Sequence, residues 1–379
     1  MGCEMNEELY RRLAKHLDDL PGGFPETESG VEIRILRKLF TPEDAKMALA
    51  LSIIEEEPRV IAWRMGISTA DAEKRLDEME KKGLIYGTRK EGQPPRYMAS
   101  QFVVGIWEYQ IGRLDLELIG YFEEYAPYLL DSRTWKKTPQ LRTVPVGGSV
   151  GGDTEILSYE KAEELVRAQT KFTVTPCICR TEMEMMGEGC GKPKETCLSF
   201  GQGADFYQRI GRGRSITMEE ALEVLKKADK AGLVLSPGNE RDAVFICACC
   251  GCCCGVLKTL KKQPKPGRLV SSPFMAIVDK DPCIGCGICI RRCQMDAVTV
   301  TGKKAIIDED RCIGCGLCVT TCPVRAIRLM RKTGGEQPYV PKTITQTFIR
   351  LGKDRGKLSN GKLVRMLLRS KADRFSAPK

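Results

Sequence analysis

Apolar residues recur at helical spacing in several stretches of this chain, and short β-branched runs lie between them. Thr41-Pro42-Glu43-Asp44 opens a helix with Thr as N-cap, Pro at the first position and acids in the first turn. Met47, Leu51 and Ile54 carry it on toward Pro58, which ends it. Arg59 to Met65 reads as a short second helix, followed by a turn at Gly66-Ile67-Ser68. Thr69 to Lys82 forms a third, with Ala72, Leu76 and Met79 inward and Gly83 as its stop. Leu84-Ile85-Tyr86 and Arg96-Tyr97-Met98 read as strands on either side of a Gly/Pro-rich segment. From Phe102 to about Leu130 the pattern turns helical and aromatic (Trp107, Tyr109, Tyr121, Phe122, Tyr125, Tyr128), as a packing face or a homodimer seam would. Gly147 to Gly152 reads as a flexible link. Beyond it, Ser158 caps a helix to about Gln169, and a strand spans Phe172 to Thr175. The capping box Thr217-Met-Glu-Glu220 opens a helix to Ala231, a strand spans Ala243 to Ile246, and a helix runs from Val256 to Lys262.

Cysteine changes this picture most. The chain has 379 residues and 19 cysteines. Cys283, Cys286, Cys289 and Cys293 make one C-x2-C-x2-C-x3-C run, and Cys312, Cys315, Cys318 and Cys322 repeat it 29 positions later. Four thiolates are what a cubane of iron and sulfide takes, one per iron, and the intervening glycines let a short loop bend around it. The repeat extends to Val278 and Ile307, and to Ala297 and Ala326. Residues 276–332 resemble the bacterial-type two-cluster ferredoxins. The resemblance implies two [4Fe-4S] clusters with crossed ligation: Cys283, Cys286, Cys289 and Cys322 for one, and Cys312, Cys315, Cys318 and Cys293 for the other. Pro323 keeps the family's Cys-Pro ending, whereas the first run ends on Gln294.

Ten more cysteines fall between the glycine link and this segment: Cys177, Cys179, Cys190, Cys197, Cys247, Cys249, Cys250, Cys252, Cys253 and Cys254. Six of them lie within eight residues, in a strand–loop–helix setting whose helix start favours thiolates. They read as ligands of a further iron–sulfur cluster, with zinc or a dithiol relay as alternatives. One grouping joins Cys177, Cys179, Cys190 and Cys197 and leaves the later run as a second site; in another, the two loops share a site. Arg180 directly follows Cys179 and suits pairing with an anionic centre. Cys3 stands alone. The single histidine, His16, sits on a polar N-terminal helix and reads as a surface residue, which removes His-based metal sites and most His acid–base chemistry.

The run from Val60 to Ile85 resembles bacterial winged helix-turn-helix domains. That resemblance implies a DNA reader with the third helix in the major groove. Thr69 to Lys82 holds five acids against four bases, however, so DNA is disfavoured and protein docking preferred. The net charge is +10, and much of it lies in the tail, where Arg350 to Lys379 carries ten Lys/Arg against two Asp. A tail of that kind is a solvated helix or a docking element for an acidic partner or a membrane surface. No apolar run long enough to span a membrane occurs, and the N-terminus has no signal-peptide stretch. So many cysteines without an export signal indicate the reducing cytoplasm.

The expected architecture is α+β and multidomain. It comprises a helical segment (1–40), a winged-helix-like domain (41–101), a helical connector with the link (102–152), a cysteine-rich α/β domain (153–272), the ferredoxin domain (273–332) and a basic tail (333–379). The expected function is cytoplasmic iron–sulfur electron transfer, as a subunit or partner of an anaerobic oxidoreductase and not as a stand-alone enzyme. Two alternatives are a redox-responsive winged-helix regulator and a reductase acting at the Cys247–Cys254 loop.

Overall fold

The computed structural model describes residues 2–129, 137–149, 156–333 and 337–378, which fall into two units. The first gathers its residues from the N-terminal part of the chain, from 206–212 and from 348 onward. Its helices are α1 (Gly2–Asp18), α2 (Val31–Leu39), α3 (Pro42–Ala48), α4 (Pro58–Met65), α5 (Thr69–Lys81) and α6 (Leu116–Leu129), and its hairpin pairs β1 (Ile85–Thr88) with β2 (Arg96–Ala99). Leu9, Leu13 and Leu17 bury the stripe that α1 turns inward. His16 on this helix is half-buried, not a surface residue, and burial pushes its pKa down.

Thr41 caps α3 in a full capping box with Asp44, as the sequence predicts, but the helix ends at Ala48 and not at Pro58. Glu56 is needed elsewhere. It exchanges backbone hydrogen bonds with Tyr97 at 3.0 and 2.9 Å, and its buried carboxylate takes Arg64 and the Ser370 hydroxyl. The aromatic stretch is likewise not one helix: Val103, Val104 and Gly105 carry non-helical dihedrals before the short turn Glu108–Gln110 and α6. Its rings pack inward, with Trp107 stacked on Phe122 at 3.8 Å. The described part of the basic tail is folded. A helix over Asn360–Ser376 lies on α4, with Arg64 bonded to Asp373 at 2.5 Å and Arg59 donating to the carbonyls of Arg374 and Ala377. Its outer side exposes Val364, Leu367 and Leu368.

The second unit holds eighteen cysteines. Its main sheet contains β3 (Phe172–Pro176), β4 (Glu195–Phe200), β5 (Arg214–Ile216), β6 (Val234–Pro237) and β7 (Phe245–Cys249), in the order β5-β3-β4-β7-β6. Every neighbouring pair is antiparallel, so among the described residues this sheet, in the region expected as α/β, has no parallel crossover unit. The capping box at Thr217 opens Met218–Lys230 as predicted. The helix expected from Ser158 is instead a 3-10 turn followed by Ala162–Arg167, because the Glu160 carboxylate accepts from the Leu157 N–H and pairs with Arg331. Gly147–Ser149 also form a 3-10 turn, with Ser149 buried; the rest of that link, like the Cys3 side chain, lies outside the described residues.

The C-terminal part of this unit adds β8 (Phe274–Val278), β9 (Val298–Thr301), β10 (Lys304–Ile307) and β11 (Ile327–Arg331), paired β8–β11 and β9–β10. One apolar core runs through both parts: Val174, Leu198 and Ile246 of the sheet belong to the same buried cluster as Phe274, Leu317 and Leu329. Among the described residues no helix is long and apolar enough to cross a membrane.

Candidate metal centres

The ferredoxin-like segment builds two cysteine-lined cavities. Cys283, Cys286, Cys289 and Cys322 line one, with Ala305 and Pro323. Cys293, Cys312, Cys315 and Cys318 line the other, with Gln294 and Ala297. Each cavity is therefore lined by three cysteines from one run and the fourth from the other. Two positive-φ glycines make the close turns possible. A Cβ at Gly285 would lie 2.5 Å from the Lys303 carbonyl oxygen, and one at Gly314 would lie 2.2 Å from that of Phe274.

Backbone N–H groups point at the sulfurs in matched pairs. Ala305 donates to Cys283 and Ala297 to Cys293 at 3.3 Å; Ala276 donates to Cys312 at 3.4 Å and Ala326 to Cys322 at 3.2 Å. Such donors stabilise thiolate and raise the potential of a cluster held there. Burial pushes the Cys315 thiol up to about 12, so in this cavity a bound cation, not water, would have to balance the thiolates. The donor set, the cavities and the oriented N–H groups all fit iron–sulfur groups.

The ten central cysteines separate into two sets, and the division is not by loop. The sulfurs of Cys190, Cys250, Cys252 and Cys253 all lie within 4.8 Å of one another. Cys190 thus leaves Cys177, Cys179 and Cys197, correcting the grouping of those four as one site, and the two loops share. The sulfurs of the other six neighbour one another around a ring, in the order Cys177, Cys179, Cys254, Cys249, Cys247, Cys197 and back to Cys177. Secondary structure brings them there. Cys177 caps the helix Ile178–Met185, Cys254 caps Gly255–Lys261, and Cys197 lies opposite Thr175 in the β3–β4 register. Cys247 and Cys249 are inside β7, which extends three residues beyond the predicted strand.

Two members of the ring favour the thiolate. Hydrogen bonds from Cys179 and Cys197, with the Arg180 charge nearby, hold Cys177 well below the usual thiol range. Bonds from Cys247 and Cys254 bring Cys249 down to about 5. Their donors Cys179, Cys197 and Cys247 are pushed up by those same bonds and by burial. Two thiolates on opposite sides of the ring, each flanked by thiol donors, result. Arg180 is buried. It donates to the Ala248 carbonyl at 3.0 Å, to the Thr196 hydroxyl and to the Cys250 sulfur at 3.8 Å, which puts a cation between the two sets.

The departure at Gln294 also acquires a place. Its amide oxygen accepts from the Gly251 N–H at 2.8 Å, and a Cβ at Gly251 would lie 2.4 Å from its carbonyl oxygen. Gln294 follows Cys293, and Gly251 stands between Cys250 and Cys252. Sequence reasoning saw the missing proline but had no signal for this contact.

Residues 276–329 match the family model of the 4Fe-4S dicluster domain. The segment is therefore an iron–sulfur ferredoxin-like domain, and the chain's cysteine clusters fit electron transfer. No curated protein and no solved structure matches the chain.

Proposed function

We propose that this protein carries two [4Fe-4S] clusters and passes electrons between them and a further cysteine-ligated redox site in the central sheet. It would act in the cytoplasm as a subunit or partner of an anaerobic oxidoreductase. The observation that carries this reading is the Gln294–Gly251 hydrogen bond. It links a cysteine lining the second cavity to the loop bearing Cys250 and Cys252 through one hydrogen bond and a few covalent ones. Iron–sulfur potentials span about −700 to +450 mV, so the donor and acceptor are set by partners and not by cluster type alone.

The first unit serves docking in this scheme. Its arrangement of α3, α4, α5 and the β1–β2 hairpin suits a winged helix, but the outward residues of α5 balance: Asp71, Glu73 and Glu78 against Lys74, Arg75 and Lys81. A neutral face favours a protein partner over a phosphate backbone. The exposed thiol of Cys252 keeps the reductase alternative in view, because a substrate can reach it.

Anaerobic purification followed by iron and sulfide analysis, with EPR during stepwise reduction, tests the proposal. The expected result is two reducible cubane signals and a third component that titrates with them. A protein with no reducible cluster would end the electron-transfer reading, and two clusters with a redox-silent central region would end its second half.

A further inference from the structure

Two kinds of cysteine site in this chain differ in size. Four thiolates bound to one metal at about 2.3 Å stand roughly 3.8 Å apart on a tetrahedron. A cubane puts four irons and four sulfides between its thiolates, so its cysteine sulfurs stand much farther apart. The ferredoxin cysteines surround open cavities. Cys190, Cys250, Cys252 and Cys253 instead lie within 4.8 Å of one another, with the Cys252 and Cys253 sulfurs 3.8 Å apart. That is room for one ion and not for a cubane.

We propose that these four cysteines hold a single tetrahedral iron, and that it is the first acceptor of electrons leaving the cavity of Cys293, Cys312, Cys315 and Cys318. Thiolate donors restrict the ion to a soft or borderline metal, iron or zinc in this geometry. The Gln294–Gly251 contact favours iron, since zinc has no second oxidation state to receive an electron. The step balances as one electron lost by a reduced [4Fe-4S] cluster and one gained by ferric iron, which becomes ferrous. Arg180, bonded to the Cys250 sulfur, offsets part of the charge that four thiolates bring. The ion would also fasten the glycine-rich loop carrying Cys190, in which Gly187 and Gly191 adopt positive φ, to the loop of Cys250–Cys253. The electron route and the choice of iron over zinc rest on the proposed function; the single-ion site does not.

The experiment compares the full-length protein with Cys252→Ser and with the double variant Cys190→Ser/Cys253→Ser, all purified anaerobically. Both variants are expected to lose about one iron per chain and no acid-labile sulfide. A loss of about four irons with matching sulfide would make the site a cubane and overturn the proposal. So would an unchanged metal content, or zinc lost in place of iron. If the variants do not fold, EPR of the oxidised unmutated protein decides: a single tetrahedral ferric iron gives a high-spin signal that a cubane does not. Gln294→Ala tests the route separately. It should keep every metal, yet lose rapid reduction of the single iron by the ferredoxin centres. Unchanged reduction in that variant would remove the route and leave the ion.

Discussion

The ferredoxin-like segment and the central sheet use the same ligand atom and assemble it in different ways. In the segment, each cavity takes three sulfurs from one short loop, where positive-φ glycines shape the turn and backbone N–H groups are already aimed at sulfur. In the central sheet, one ring of thiols draws on β3's helix cap, β4, β7 and a second helix cap, from Cys177 to Cys254. A local site can be encoded by spacing and survive wherever its loop survives. A distributed site exists only when the sheet's register is correct, and its cysteines show no regular spacing.

The comparison can be broken most severely at the shared ligands. Cys322→Ser should remove the cluster of Cys283, Cys286 and Cys289, about four irons. Cys293→Ser should remove the other. Metal analysis and EPR of the two variants would show whether the fourth ligand crosses between runs. Arg180→Met should act only on the central side. It leaves the Ala248 carbonyl, the Thr196 hydroxyl and the Cys250 sulfur without their buried cation, a loss of about 4 kcal/mol. Thermal denaturation should show it, with the ferredoxin EPR signals unchanged in the folded variant.

Gly314→Ala tests the local design. A Cβ there meets the Phe274 carbonyl in a left-handed backbone conformation, so β8 must shift, at a cost of about 3 kcal/mol. Faster cluster loss under chelator would report it, and Gly287→Ala, whose Cβ would meet only the Ile290 side chain at an ordinary 3.9 Å, should cost only about 1 kcal/mol.

The last effect is expected from pH. Burial raises the Glu240 carboxyl to about 7, beside a buried Arg142 that burial lowers to about 10. The folded chain keeps a proton that the unfolded chain has released at pH above about 4.5. Stability from this group therefore falls as pH rises from about 4.5 through 7, by about 3 kcal/mol. Glu240→Gln should flatten that slope in denaturation scans across pH 5 to about 8.

Short-range features were legible along the chain because their causes are short-range. The capping boxes at Thr41 and Thr217 and the two cysteine runs each depend on residues within a few positions. Two misread helices answer to a distant partner. The α3 helix stops at Ala48 because Glu56 pairs with Tyr97 and Arg64, and the Ser158 helix shortens because Glu160 faces Arg331. Nothing in local periodicity carries those contacts.

The sequence alone determined that this protein binds iron and sulfide, since the spacing of Cys283 to Cys322 is itself the ligand geometry. Only the tertiary structure decided how the other ten cysteines divide. Antiparallel register brings Cys197 and Cys247 into contact, and a loop 60 positions earlier in the chain carries Cys190 to Cys250. The same packing gave Gln294 its hydrogen-bond partner. Its effect depends on Gly251, a residue that only the common core of sheet and ferredoxin segment brings within reach.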